Sequence, residues 1–261
     1  MSRGRTARVF TRRVDADGIR RVPDDLIVEE PMSIRLDGEL VATTMRTPGD
    51  DFELAVGFCL TEGVLHDAPV RTVRYCGQGS AAESEYNDVT VDTGGLAPAP
   101  TPRLGPASSS CGVCGTVAIS ELLDRLRRLD VAPFDIAVLA GMADRIDGQA
   151  LFTTTGAVHA AVAFDRTGQP LLIREDIGRH NAVDKVVGRL QMDGRLPAGD
   201  LGLWVSGRAS FEMAQKAWAA GFACLVAVSG PSALAVETAR VANLQLAGFA
   251  RGDRLNLYTG D

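Results

Sequence analysis

Two cysteines, Cys111 and Cys114, stand three positions apart in the run Ser108-Ser109-Ser110-Cys111-Gly112-Val113-Cys114-Gly115. No apolar run that could form a strand precedes them. After them Ile119, Leu122, Leu123, Leu126 and Leu129 recur at helical spacing, which predicts a helix over 115–129. The pair is therefore expected at a helix N-terminus, where free amide N–H groups and the macrodipole favour a thiolate. A thiolate attacks sulfur or binds metal. A closed zinc site needs a second ligand pair of similar spacing, and every other Cys and His of this chain is isolated. Only an ion shared between two copies would fit. A thioredoxin-type pair should follow a strand directly, whereas a Pro/Gly-rich stretch precedes this one. A zinc deaminase needs His-x-Glu followed by Pro-Cys-x-x-Cys. Here His159-Ala160-Ala161 lacks the glutamate, and the cysteines come earlier in the chain. A nucleophilic thiol that takes up sulfur as a reversible persulfide and hands it on fits best. The second thiol would resolve or shield the first.

A second constellation is the polar run Arg174-Glu175-Asp176-Ile177-Gly178-Arg179-His180-Asn181-Ala182-Val183-Asp184-Lys185. On a helix His180 and Asp184 are i,i+4 neighbours, as are Asn181 and Lys185. This spacing predicts an acid-paired imidazole able to shuttle protons. Ser210, Glu212, Gln215 and Lys216 form a weaker cluster, with Glu212 and Lys216 as a surface i,i+4 pair. Three turns share their chemistry: Asp176-Ile177-Gly178-Arg179, Ser206-Gly207-Arg208 and Ser229-Gly230-Pro231. Each leads into a helix and two carry arginine, so an anionic phosphate is the natural guest. Phe249-Ala250-Arg251-Gly252-Asp253-Arg254 places two further arginines around a Gly-Asp turn. Cys59 and Cys224 lie in apolar segments and are expected to be inert core. Cys76 is left open, and His66 and Trp204 have no special context.

The elements that must position these groups fall into two parts. Residues 27–36 and 40–46 read as a hairpin around Asp37-Gly38, 52–65 as a helix, and 70–76 and 87–91 as strands. From 94 to 110 prolines, glycines and serines mark a linker. Beyond it helices are expected at 115–129, 134–146, 179–191, 210–220 and 232–248. Strands are expected at 158–164, 171–174, 201–205, 224–228 and 255–258. This alternation implies a layered α/β domain with a largely parallel sheet, in which the turns line up along one edge, where such folds bind ligands. The domain division is a mainly-β subdomain with one helix over 1–93, a mobile loop carrying the cysteines over 94–114, and an α/β core over 115–261.

Composition narrows the classes. The chain has 261 residues, 46% hydrophobic and 23% charged, which is ordinary for globular protein. A net charge of −6 argues against nucleic acid as the main partner. The apolar runs are too short to span a membrane. Arg3, Arg5, Arg8, Arg12 and Arg13 precede no apolar stretch, so the N-terminus reads as a solvated basic arm and not a secretory signal. Five cysteines, an odd and sparse count, point to a reducing compartment. Of 27 basic residues only Lys185 and Lys216 are lysine, and lysine is then expected where a compact ammonium matters.

Ser-Ser-Cys-Gly-Val-Cys-Gly at 109–115, the polar run at 174–185 and Ser-Gly-Arg-Ala-Ser-Phe-Glu-Met at 206–213 resemble the formate dehydrogenase accessory sulfurtransferase (FdhD) family, and the likeness spans nearly the whole chain. The resemblance implies a cytoplasmic sulfur carrier between a cysteine desulfurase and the molybdenum cofactor destined for formate dehydrogenase. It implies a homodimer whose core is similar to the cytidine deaminase fold, without that fold's metal. It places the persulfide on Cys111, assisted by Cys114. It assigns the bis-molybdopterin guanine dinucleotide form of the cofactor to Phe249, Ala250, Arg251, Gly252, Asp253 and Arg254. Ser206, Gly207, Arg208, Gly178 and Arg179 would then join them in holding phosphates and guanine, with His180 and Lys185 managing protons and charge. Thr155-Gly156-Ala157 departs from the family's usual Thr-Gly-Gly. Two other readings remain: a cofactor chaperone without sulfur chemistry, and a deaminase-like zinc hydrolase.

Overall fold

In the computed structural model, which describes residues 4–75, 86–100 and 115–260, the arginine-rich N-terminal stretch is a strand pair and not a solvated arm. Strands β1 (Thr6–Asp15) and β2 (Gly18–Ile27) form an antiparallel ribbon. Cross-strand ion pairs Arg8–Asp25 and Arg20–Asp15 offset part of its charge. Both faces of the ribbon are largely exposed, so the alternation that usually betrays a strand is missing.

The expected hairpin at 27–46 is present as β3 (Glu30–Leu36) and β4 (Glu39–Arg46). Asp37 and Gly38 between them have φ of 49° and 94°, the left-handed pair that a two-residue hairpin turn requires. Helix α1 (Asp51–Thr61) covers a four-stranded sheet of order β4-β3-β6-β5, completed by β5 (Thr72–Tyr75) and β6 (Asp88–Asp92). Met32, Ile34 and Leu36 alternate inward from β3 and pack with Leu54, Ala55 and Phe58 of α1. The buried Arg46 guanidinium binds both oxygens of Asp51 at 3.0 Å and so fixes the start of α1.

The remaining elements are α2 (Gly115–Arg125), α3 (Ile136–Ala140), a 3-10 turn (Ala143–Arg145), α4 (Ala150–Thr155), β7 (His159–Phe164), β8 (Pro170–Asp176), α5 (Arg179–Met192), β9 (Gly202–Val205), α6 (Phe211–Ala219), β10 (Cys224–Ala227), α7 (Ala233–Ala242), β11 (Gln245–Arg251) and β12 (Arg254–Thr259). The single helix expected over 232–248 is therefore a helix followed by a strand. Asn243, at φ 62°, ends α7 in the left-handed region, inside an alanine-rich stretch that reads as unbroken helix. The helix expected over 134–146 divides into α3 and the 3-10 turn. Helix α4 was not foreseen, since Thr153, Thr154 and Thr155 favour strands. Each of those hydroxyls donates to the carbonyl four residues back at 2.8 Å.

The six-stranded sheet has the order β12-β11-β10-β9-β7-β8. Only β9–β10 and β10–β11 pair parallel; β7–β8, β7–β9 and β11–β12 are antiparallel. The sheet is thus mixed and not largely parallel, because the short β7–β8 and β11–β12 connections admit only antiparallel neighbours. Helix α5 lies between this sheet and α1. Its expected stripe, Ala182, Val183, Val186, Val187 and Leu190, is fully in the core. Its other face crosses α1 at near backbone contact: a Cβ on Gly57 would sit 1.8 Å from the Asp184 carbonyl oxygen, and one on Gly188 1.8 Å from that of Glu53. No larger residue than glycine fits either position.

Candidate functional site

The direction of each strand decides what meets at the edge of the large sheet. Strand β8 runs against β7, and β7 against β9, so β8 points the same way as β9, β10 and β11. The turns after β8, β9 and β10 therefore share one edge, as expected, although the sheet is mixed, and the turn after the unforeseen β11 joins them. His159, the first residue of β7, opens at the same edge. Backbone hydrogen bonds tie the turns together: Ser229 N–H donates to Gly207, Phe249 N–H to Ser229, and Ser232 N–H to Ala209. The Phe249 ring covers Gly230, where a Cβ would lie 2.7 Å from the ring. Phe249 holds φ at 54° to do so.

Asp176 is the anchor of the first turn and is completely buried. Its Oδ1 accepts from Gly178 N–H at 2.8 Å and from Asn181 Nδ2 at 2.9 Å. Its Oδ2 accepts from Thr47 N–H at 3.1 Å and faces the Lys185 ammonium at 2.7 Å. Lys185 also donates to the Thr47 carbonyl, and its side chain is 1% exposed. It therefore braces the turn from below, and the expected role for it at a ligand is corrected. Of the run's other polar groups, Arg179 and His180 form the first turn of α5 at the edge.

His180 does not pair with Asp184. Asp184 points the other way, into a buried cluster where Lys216 Nζ lies 2.9 Å from both of its oxygens and Thr61 Oγ1 2.8 Å from one. Lys216 also reaches Glu62 at 3.1 Å, so the expected surface pair with Glu212 is replaced by a buried network joining α1, α5 and α6. Both lysines of the chain thus neutralise buried aspartates. Burial pushes the Asp184 carboxyl up to about 6, against the opposing pull of Lys216. The acid nearest His180 is Glu212, 4.0 Å from Nε2. Burial, then the charges of Lys216 and Arg179, push the His180 imidazole down to about 4, so the ring is neutral at pH 7.

The edge contains buried polar atoms without a protein partner among the described residues: Arg179 Nε, His180 Nε2 and Ser210 Oγ. Such orphans mark a place for a polar guest, because a buried donor or acceptor left unpaired costs about 1–3 kcal/mol. Arg208 is exposed on the turn after β9, and Arg251 and Arg254 on the turn after β11, with Gly207 and Gly252 partly exposed beside them; the Gly178 backbone is already used, its N–H by Asp176 and its carbonyl by Ala182. Ala250, by contrast, is fully buried in the sheet core and contributes backbone only. Sequence reasoning met His159 only as part of a failed deaminase motif and Ser210 only in a weaker cluster, and assigned neither to this edge. The one available signal was that His159 begins a predicted strand and is one of only three histidines.

Cys111, Cys114 and Cys76 lie outside the described residues. Helix α2 begins at Gly115, next in sequence to Cys114. The chain after it descends the molecule: Arg125 donates to the Thr61 carbonyl at 3.3 Å, the Trp218 indole to the Arg127 carbonyl at 2.7 Å, and Leu129 N–H to Ala242 at the far end of α7. Cys59 and Cys224 are buried core, as expected, and burial pushes both thiols far up.

Fold and edge together define a mixed α/β protein whose strand-end turns share one edge that carries exposed arginines and buried, unpartnered polar atoms. The sequence model of the FdhD/NarQ family matches residues 27–261, and the chain belongs to that family. It is 45% identical to the sulfur carrier protein FdhD of Mycobacterium tuberculosis, over 97% of this chain and 96% of the relative. Identity to the protein of the same name from Streptomyces avermitilis is 46%, over 92% of this chain and 88% of the relative. A crystal structure from Desulfotalea psychrophila, described as a candidate formate dehydrogenase accessory protein, superposes with a TM-score of 0.76 at 21% identity, covering 98% of this chain and 97% of that one. It shares the fold. Among the described residues, no helix is long and apolar enough to cross a membrane.

Proposed function

We propose that this protein is a sulfur carrier serving formate dehydrogenase, a cytoplasmic homodimeric sulfurtransferase in which Cys111 bears the sulfur and Cys114 assists. The observation that carries the reading is identity of 43–46% over at least nine-tenths of the chain to relatives named sulfur carrier protein FdhD. Loading is a thiol exchange. The Cys111 thiolate attacks the outer sulfur of a persulfide on a cysteine desulfurase, the S–S bond of that persulfide breaks, and the desulfurase cysteine leaves as a thiolate. Cys111 then holds the sulfur as a persulfide for delivery to the molybdenum cofactor in its guanine dinucleotide form, the acceptor substrate.

The edge cleft supports this reading by its chemistry. Unpartnered Arg179 Nε, His180 Nε2 and Ser210 Oγ suit the oxygens of a diphosphate, and Arg208, Arg251 and Arg254 supply the countercharge. Phe249, half-exposed at 49%, offers a ring face to guanine. Lys185 acts behind the turn through Asp176.

The test is incubation with a cysteine desulfurase and cysteine, followed by peptide mass mapping. One added sulfur is expected on the peptide containing Cys111, absent in Cys111→Ala, while guanosine diphosphate (GDP) binding survives the substitution. Activation of formate dehydrogenase by Cys111→Ala as strong as by the unmodified protein would overturn sulfur carriage and leave a delivery module.

A further inference from the structure

His159 has no role in the reading above, yet its surroundings fix it in an informative way. Its Nδ1 lies 3.3 Å from Ser206 Oγ, and the same oxygen accepts the Ala160 N–H at 3.0 Å. The register of β7 against β9, with Ala161 opposite Val205, brings the two residues together at the sheet edge. The ring rests against Gly207, where a Cβ would be 3.6 Å from Nδ1 and Cε1. Two of the three histidines thus stand at this edge, and Arg179 is a charged neighbour of both.

The hydrogen bonds discriminate between the tautomers. Ser206 Oγ already accepts one N–H, and its single hydroxyl proton needs an acceptor. Among the described residues the only one in reach is His159 Nδ1. If Nδ1 instead carried the proton, the hydroxyl would accept twice and its own proton would have no partner among the described residues. Because the hydrogen bond at one ring nitrogen sets the proton on the other, Nε2 then carries the hydrogen. Nε2 hydrogen-bonds to nothing among the described residues and, in contrast to His180 Nε2, is not fully buried. Burial and the neighbouring Arg179 charge, opposed by Asp176, hold the imidazole below its ordinary range, consistent with a neutral ring.

We infer that His159 is a positioning residue of the edge cleft, locked by Ser206 as the Nε2–H tautomer so that it presents a fixed donor to a phosphate oxygen of the bound nucleotide. The inference rests on the reading of the cleft as a nucleotide site and adds to it a specific atom. Neutrality matters here. A neutral donor orients an oxyanion without adding charge to a cleft that already has Arg179 and Arg208, so it shapes the pose more than the long-range attraction.

Two side-chain replacements separate the ring nitrogens. Asn places an acceptor near Nδ1 and removes the outer donor; Gln places an amide donor near Nε2. GDP is the probe, read by calorimetry, with inorganic pyrophosphate and guanosine as separate arms. His159→Asn is expected to weaken GDP and pyrophosphate binding about tenfold, the effect of one charge-assisted hydrogen bond, and to leave guanosine unchanged. His159→Gln is expected to remain within about threefold of the unmodified protein. Two-dimensional 1H–15N correlation of the imidazole should show protonated Nε2 and unprotonated Nδ1, with the Nε2 resonance moving on addition of GDP. A merely structural histidine would not respond in that way. The Nδ1–H tautomer, or unmodified protein and His159→Asn binding GDP equally well, would overturn the inference and leave the nucleotide site standing. Failure of the unmodified protein to bind GDP or pyrophosphate would overturn both.

Discussion

Replacing Lys216 by Met deletes the ammonium at the centre of the α1–α5–α6 junction while keeping its stem. Lys216 is 3% exposed and Asp184 1%, and the ammonium is within 2.9 Å of both carboxylate oxygens. After the substitution Asp184 keeps only the Thr61 hydroxyl. Breaking a buried pair from one side costs about 3–5 kcal/mol, because the remaining charge is uncompensated. For a chain of this size that corresponds to roughly 10 °C in Tm. The pH dependence is the sharper test. The Asp184 carboxyl is already raised to about 6 in the folded protein, well above the ordinary aspartate value of about 3.9. A raised folded pKa means that the folded state binds the extra proton, so its stability is greatest at low pH and is lost as pH rises through the folded value. Without Lys216 that value rises further. At pH 5 both proteins hold Asp184 protonated, so the ionisation contributes nothing to their difference. At pH 8 the unmodified protein has an ionised, paired carboxylate, whereas the variant must keep its carboxyl neutral or bury a lone charge. At about 1.4 kcal/mol per pH unit, the destabilisation should grow by about 2–3 kcal/mol between pH 5 and pH 8. Urea unfolding at the two pH values measures it. A loss that is the same at both would refute the assignment of Lys216 as the counter-ion of a buried carboxylate. The double variant with Asp184→Asn should recover most of the pH-dependent part.

The same junction governs His180. Its ring should titrate near pH 4 by NMR, and Lys216→Met should move that midpoint upward, since Lys216 is the largest charge acting against protonation; an unmoved midpoint would contradict the model of coupling between α5 and α6. Gly57→Ala would drive a methyl group to 1.8 Å from the Asp184 carbonyl oxygen, and because backbone must then move, a loss of at least about 3 kcal/mol is expected in urea unfolding. Cys59 and Cys224, held protonated by burial, should resist iodoacetamide at pH 8 in the folded protein and react only after denaturation, as quantified by peptide mass mapping.

The parts of the fold that could be read in advance are those where one period dominates. The stripe of α5 and the alternation in β3 bury the predicted residues. The ribbon of β1 and β2 was hidden because a strand pair solvated on both faces has no apolar period to display. Strand β11 was hidden because 232–248 reads as one alanine-rich helix until Asn243 turns left-handed. At the edge, sequence spacing drew attention to Arg179 and His180 but misassigned the partner of His180. An i,i+4 rule describes one isolated helix, whereas α5 is enclosed by α1, α6 and the sheet. Asp184 and Lys185 therefore look away from His180, each toward a partner that no spacing within α5 could reveal. His159 met Ser206 only through strand register, and single-sequence reasoning supplies no register.

The convergence of the turns was expected from a parallel sheet and occurs in a mixed one. Two reversals in succession, β9 against β7 and β7 against β8, restore the direction of β8, so the turn after it returns to the same edge as those after β9 and β10. The ligand-binding logic of open sheets depends on where strand ends point, and an even number of antiparallel steps preserves it. The antiparallel insertion also does something a parallel strand could not. It brings the start of β7, and with it His159, to the edge where the other strands end. A histidine at a strand's beginning thus faces serine at a neighbour's end, which is the juxtaposition from which the inferred Nε2 donor follows.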